Sequence, residues 1–287
     1  MAHSIDEPVS ATGGDGLVRV RLDLGYDGTD FFGWASQPGR RTVQATLVEA
    51  LSTILRAPVR VTVAGRTDTG VHAVGQVAHL DLPVRLWQEH QAKLVRRLAG
   101  VLPPDVRVFA AVAAAADFDA RFAASWRRYG YRIWDGEGGP NPLRRHDTVA
   151  WRRPLDATAM SAAARLLVGE HDFAAFCRAR AGSSTIRGLQ ELTVRRDGQL
   201  LELEVQADAF CHSMVRSLVG ALAAVGEGLR PVSWPASLLQ WDRRCDQITV
   251  APARGLTLLE VGYPPDAELA ERVNRTRAFR GRVEPAG

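Results

Sequence analysis

The chain has 287 residues, room for one large or two modest domains. Hydrophobic residues make up 46% and charged residues 24%, the balance of a globular protein with a substantial core, and the longest apolar stretch, around 110–116, is too short and alanine-rich to span a bilayer. A net charge of +4 hints at an anionic partner, while three widely spaced cysteines, Cys177, Cys211 and Cys245, point to a reducing, cytoplasmic setting and away from a disulfide framework or a cysteine-built zinc site.

Residues 1–16 carry acidic and turn residues and no apolar run, which predicts a disordered leader and no signal peptide. From Leu17, Val18, Val20, Leu22 and Leu24 alternate with Arg19, Arg21 and Asp23, the period of a half-buried strand. A glycine- and aromatic-rich loop, 25–39, leads to a helix with Thr42 as N-cap and Val43, Leu47, Leu51 and Ile54 on one face, ending before Pro58. Val59, Val61 and Val63 predict a second strand, and 76–82 a third after the loop 64–75. A helix between Leu86 and Leu98 and a strand over 106–112 follow.

The second half repeats the theme. Strands are expected over 129–134 and 148–151, around a Gly/Pro-rich turn at 136–142, and a helix over 156–168. Asp197-Gly198 is a hairpin signal between strands 192–196 and 200–206. Val215, Leu218, Leu222 and Val225 share one face of a helix over 212–225, and the charged, aperiodic stretch 266–287 reads as a tail. Interleaved helices with short strand-to-strand turns predict an α+β fold. Two similar α/β-sandwich halves, 17–115 and 116–265, are expected to share a largely antiparallel central sheet, with helices on one side and a cleft between the halves.

The segment Ala64-Gly65-Arg66-Thr67-Asp68-Thr69-Gly70-Val71-His72-Ala73 is the most informative. Its glycines bracket a compact polar loop between two strands, where a carboxylate can sit at a sheet's edge beside an arginine that keeps it ionised. Spacing alone equally allows an Asx-type turn in which Asp68 bonds only its own backbone. The almost exclusive use of arginine, with Lys93 the only lysine, fits bidentate phosphate contact but equally a GC-rich coding sequence. The seven histidines show no metal-ligand spacing, and there is no dinucleotide or P-loop glycine pattern, so neither metal nor cofactor is expected.

The segment resembles the GRTDAGVHA signature of the TruA family of tRNA pseudouridine synthases, with Thr69 where alanine is usual. Further family stretches recur in order. They are Tyr26-Asp27-Gly28-Thr29, Phe32-Gly33-Trp34, Thr42-Val43-Gln44, Gly75-Gln76-Val77-Ala78-His79 and Phe118-Asp119-Ala120-Arg121-Phe122, then Arg128-Tyr129-Gly130-Tyr131, His171-Asp172-Phe173, Met214-Val215-Arg216 and Gly255-Leu256. Together they span roughly 17–263.

The resemblance implies an isomerase acting on uridines 38, 39 and 40 of the tRNA anticodon stem-loop, without a cofactor and as a homodimer. Asp68 would be the essential carboxylate, Tyr129 the aromatic that stacks on the flipped uracil, and Arg216 the cation paired with Asp68. Arg66 would shape the same loop or meet phosphate. Phe118, Arg121 and Phe122, and the loop 178–187 with Arg178, Arg180 and Arg187, resemble RNA-facing stretches. Ser213 and Ser217 depart from the histidine and asparagine usual at those places, which leaves the hydrogen bonding around the site open. A non-catalytic RNA-binding protein on the same scaffold, or a synthase for another RNA position, is the alternative.

Overall fold

The computed structural model describes residues 16–178 and 184–277; the expected leader, apart from Gly16, therefore lies outside the described residues. The elements run β1 (Leu17–Tyr26), α1 (Val43–Leu55), β2 (Thr62–Val63), β3 (His72–Pro83), α2 (Val84–His90), α3 (Leu94–Val101) and β4 (Val106–Ala114). They continue with β5 (Trp126–Trp134), β6 (Val149–Ala150), α4 (Ala157–Arg165), β7 (Gly169–Asp172), β8 (Ile186–Asp197), β9 (Leu200–Ala207), α5 (Met214–Gly226), α6 (Trp234–Ser237), β10 (Leu256–Gly262) and α7 (Leu269–Arg277).

One ten-stranded sheet carries the fold, in the order β4-β1-β3-β10-β5-β9-β8-β7, with β2 on β3 and β6 on β5. Neighbours are antiparallel except β3 with β10 and β5 with β6. The α+β class and the mainly antiparallel sheet expected from the sequence are both present. Strand alternation explains the two faces. Val20, Leu22 and Leu24 of β1 and Leu201, Leu203 and Val205 of β9 are buried. The residues between them form cross-strand charge pairs on the other face: Arg19 with Asp81 at 2.8 Å and Arg132 with Glu202 at 2.8 Å. Each such exposed pair adds little stability, but like charges in a slipped register would repel.

Helix α1 starts where its cap says it should: the Thr42 side chain accepts from the Ala45 N–H, and Val43, Leu47, Leu51 and Ile54 are buried. The helix expected between Leu86 and Leu98 is broken into α2 and α3, and only Thr62–Val63 of the second strand pairs. Part of the expected tail is ordered. Leu269 and Val273, one turn apart, bury the inner face of α7, and the Arg272 guanidinium donates to the Ala124 carbonyl at 2.9 Å.

Strand β10 was not foreseen, and it is the strand that joins β3 to β5. Its alternation breaks at a bulge between Leu258 and Glu260, so no period of two runs through it. Leu258, fully buried, lies opposite Ala73 on one side and Tyr129 on the other. Leu258→Ala should lower unfolding stability by about 2–5 kcal/mol, the range for emptying a buried leucine site. Chemical denaturation reads this directly; a loss under about 1 kcal/mol would mean that β10 is not a core strand.

Candidate active site

The Asp68 loop joins β2 to β3 and is fixed from several directions. Gln76, fully buried at the start of β3, donates to the Gly65 carbonyl at 2.8 Å and to the Tyr26 hydroxyl at 3.2 Å. The Tyr26 hydroxyl meets the Thr67 hydroxyl at 2.8 Å, and its burial pushes its pKa up to about 12, so it remains a neutral bonding partner. The first loop presses on this one from outside. The Trp34 main-chain N–H donates to the Thr67 carbonyl at 3.0 Å, and Gly33, at φ +82°, has no room for a side chain because a Cβ would stand 2.8 Å from that carbonyl. Inside the loop the Val71 N–H returns to the Asp68 carbonyl at 3.2 Å.

A residue not singled out from the sequence ties this loop to the rest of the site. Arg127, on the buried face of β5, donates to the carbonyls of Ala64 at 2.9 Å, Arg121 at 2.8 Å and Asp208 at 2.8 Å. Its burial pulls its pKa down from the ordinary arginine value. The three carbonyls belong to the start of the Asp68 loop, to the 118–122 stretch and to the segment leading into α5.

The Asp68 side chain is about one-third exposed. Arg216, in the first turn of α5, brings its Nη1 to 4.0 Å from Asp68 Oδ2, while its Nε is committed to the Ala251 carbonyl at 2.6 Å. The His212 ring is nearer, with Nε2 3.3 Å from Asp68 Oδ1. Arg66 is exposed, and no ion pair joins it to Asp68. Tyr129 is buried on β5, edge-on to Phe210 with ring centroids 5.2 Å apart. Burial raises its pKa first, with Tyr26 and the Asp68 charge adding to the effect and Arg127 opposing it. At neutral pH its phenol is a neutral ring, suited to stacking and hydrogen bonding and unsuited to taking a proton.

The other predicted residues divide by exposure. Phe118 is buried, packed on Tyr263 at 4.9 Å and on His79 at 6.1 Å, so its ring is not free to stack on a base. Arg121 is exposed with its guanidinium 5.0 Å from the Phe122 ring, and Arg277 approaches the same ring at 5.0 Å. Arg178 is exposed, Arg187 donates to the Ser184 carbonyl at 2.7 Å, and Arg180 lies outside the described residues. Cys177 and Cys211, far apart in sequence, are brought side by side with their Cα atoms 5.7 Å apart, a closeness the spacing did not suggest; Cys245 is free and buried. A cavity of about 810 Å³ opens on the charged face of the sheet between Asp27, Arg107, Arg132 and His146, and Asp68, Tyr129 and Arg216 do not line it.

A carboxylate on a pinned loop, approached by His212 and by Arg216 of α5 beside a buried aromatic on a central strand, is the arrangement on which the family comparison falls. The family model described as tRNA pseudouridine synthase matches residues 25–123 and 163–264, which include Asp68, His212 and Arg216, while Tyr129 lies between the two matched stretches. The chain belongs to the tRNA pseudouridine synthase family, a family of isomerases. Among its curated relatives it is 59% identical to the tRNA pseudouridine synthase A of Frankia casuarinae over 95% of this chain and 99% of that one. It is 56% identical to the protein of the same name from Streptomyces griseus, over 92% and 95% of the two chains, and 51% identical to that of Mycobacterium leprae, over 92% and 96%.

Arg127→Lys keeps the charge but loses the planar fork that reaches three carbonyls at once. It should cost about 1–3 kcal/mol of stability, because at least one buried carbonyl is left unpaired. Denaturation midpoints at constant slope check this, and an unchanged midpoint would mean that the three bonds are not maintained in solution.

Proposed function

We propose that this chain converts uridine to pseudouridine in the anticodon stem-loop of tRNA, at positions 38, 39 and 40, with Asp68 as the catalytic carboxylate. The observation that carries this reading is the approach of His212 and Arg216 to the Asp68 carboxylate, in a chain of this family. Asp68 comes from the half 17–115, and Tyr129, His212 and Arg216 from the half 116–265, so the reacting base would be held where the two halves join.

The reaction is balanced without a cofactor. The N1–C1′ bond breaks, the uracil turns, and a C5–C1′ bond forms; C5 loses a proton and N1 gains one. The target base must leave its stack to reach a side chain on a loop at the sheet. Asp68 then supplies negative charge at the glycosidic centre, whether by attack at C1′ or C6 or by promoting elimination. Tyr129 contributes its ring face to the uracil. Arg216, anchored on Ala251, holds a positive charge near Asp68. Arg66, Arg121, Phe122, Arg178 and Arg180 are assigned to the RNA, the arginines to phosphates and Phe122 to a base. Phe118 supports that stretch from beneath. A tRNA substrate puts the work in the cytoplasm, and no helix among the described residues is long and apolar enough to cross a membrane.

Mapping pseudouridine in tRNA from cells with and without the protein tests the function and its positions together. With purified protein, Asp68→Asn should abolish pseudouridine formation while leaving tRNA affinity within about twofold, since the phosphate contacts remain. Substantial product from that variant would remove the carboxylate assignment. A single chain of this length has a radius of gyration of about 19 Å, short of the span from the anticodon arm to the elbow of tRNA. A two-fold symmetric dimer, with one Asp68 site per subunit, would cover that span. Light scattering at micromolar protein should give twice the 31.3 kDa of the chain; a fully active species at the single-chain mass would overturn the dimer.

A further inference from the structure

The closest basic group to Asp68 is a histidine in a position where the neighbouring residue departs from the family pattern. Ser213 stands where the family usually has histidine, and its hydroxyl lies 3.3 Å from His212 Nδ1. On the other side of the ring, Nε2 lies 3.3 Å from Asp68 Oδ1. We propose that His212 is a positioning residue for the Asp68 carboxylate and that the Ser213 hydroxyl sets which ring nitrogen carries the proton. The inference rests on the assignment of Asp68 made above.

The chemistry follows from the inventory of donors. A hydroxyl donating to Nδ1 leaves the ring proton on Nε2, the nitrogen that faces the carboxylate. His212 then faces Oδ1 with a protonated nitrogen 3.3 Å away, close enough for a small ring rotation to complete a hydrogen bond, with no need to be charged. Arg216 addresses the other oxygen, at 4.0 Å, and its Nε is already bound to Ala251. The two oxygens of Asp68 are therefore unequal. Oδ1 is the held oxygen, and Oδ2, with its nearest cation farther off, is the one left to act on the substrate.

The backbone around His212 is built to keep it in place. The Arg178 N–H donates to the His212 carbonyl at 3.0 Å, and the Met214 N–H donates to that of Cys211 at 3.1 Å. Ser213 itself sits at φ +66°, one of two non-glycine residues at positive φ among the described residues. A residue with a Cβ adopts that conformation at a cost that surrounding structure has to offset. The turn sets the direction in which His212 leaves the start of α5. Contacts of this kind orient a reacting group as outer hydrogen bonds orient a metal ligand.

The test uses single-turnover rate constants and tRNA dissociation constants for His212→Ala, His212→Gln, Ser213→Gly and the double variant Ser213→Gly/His212→Gln. The glutamine amide reaches about as far as Nε2 and donates without a tautomer to choose. Glycine keeps the left-handed turn and removes only the hydroxyl. His212→Ala should slow the single-turnover step by about tenfold with affinity unchanged within about twofold, as expected for losing one hydrogen bond to a charged group. His212→Gln should recover most of that rate. Ser213→Gly should slow the wild-type background and leave the His212→Gln background unaffected. Wild-type rate in His212→Ala would overturn the proposal, and so would a loss confined to affinity, which would make His212 an RNA contact. Asp68→Asn assayed alongside separates the two claims. If that variant is active, the Asp68 reading fails; if it is inactive while His212→Ala is normal, only the role of His212 fails.

Discussion

The site depends on one buried guanidinium. Taking an arginine out of water is costly unless its donors are satisfied, and Arg127 meets that condition with three main-chain carbonyls from three separate stretches. Because the fork is rigid, those carbonyls can be reached together only when Ala64, Arg121 and Asp208 sit at fixed places around it. The Asp68 loop, the 118–122 stretch and the approach to α5 are thereby set relative to one another. The Gln76–Tyr26–Thr67 bonds then fix the loop's internal shape. A single turn carrying a carboxylate has little stability of its own; here Gln76, Tyr26 and Arg127, all buried and hydrogen-bonded, hold it.

Much of the architecture could be read from patterns with a strong local cause. The alternation in β1 and β9, the Thr42 cap and the Asp197-Gly198 turn each report a geometry that one stretch of chain specifies by itself. The elements that escaped were those whose cause is tertiary. The four-residue β7 is polar and lies at the edge of the sheet, so it has no apolar face to reveal it. In α7 two buried residues are outnumbered by charged ones. In β10 the bulge shifts the buried set from Leu256 and Leu258 to Val261, and the period is lost.

The site was legible to a similar degree. Asp68, Tyr129 and Arg216 stood out because they fall within motifs, and they do converge on one region of the fold. Arg127 did not stand out because its partners are backbone carbonyls, which leave no trace in the identities of residues 64, 121 and 208. His212 was invisible for a different reason: its closeness to Asp68 depends on the left-handed turn at Ser213, and serine carries no signal for positive φ. Phe118 was misjudged as a stacking surface because an aromatic beside arginines looks the same in sequence whether it faces solvent or core.

The place of β10 has a consequence for how the molecule is made. Among the described residues it is the last strand to be synthesised, yet it lies between β3 and β5. While the ribosome is still working toward residue 262, the nascent chain already holds both of those strands, each with a ladder of unfilled N–H and C=O groups along the edge that β10 will occupy. The interior of the sheet is therefore closed last, by a segment that arrives near the end of translation. Asp68 and Tyr129 stand on opposite sides of that seam, so a chain halted before residue 256 would carry both and yet lack the strand that sets them in register.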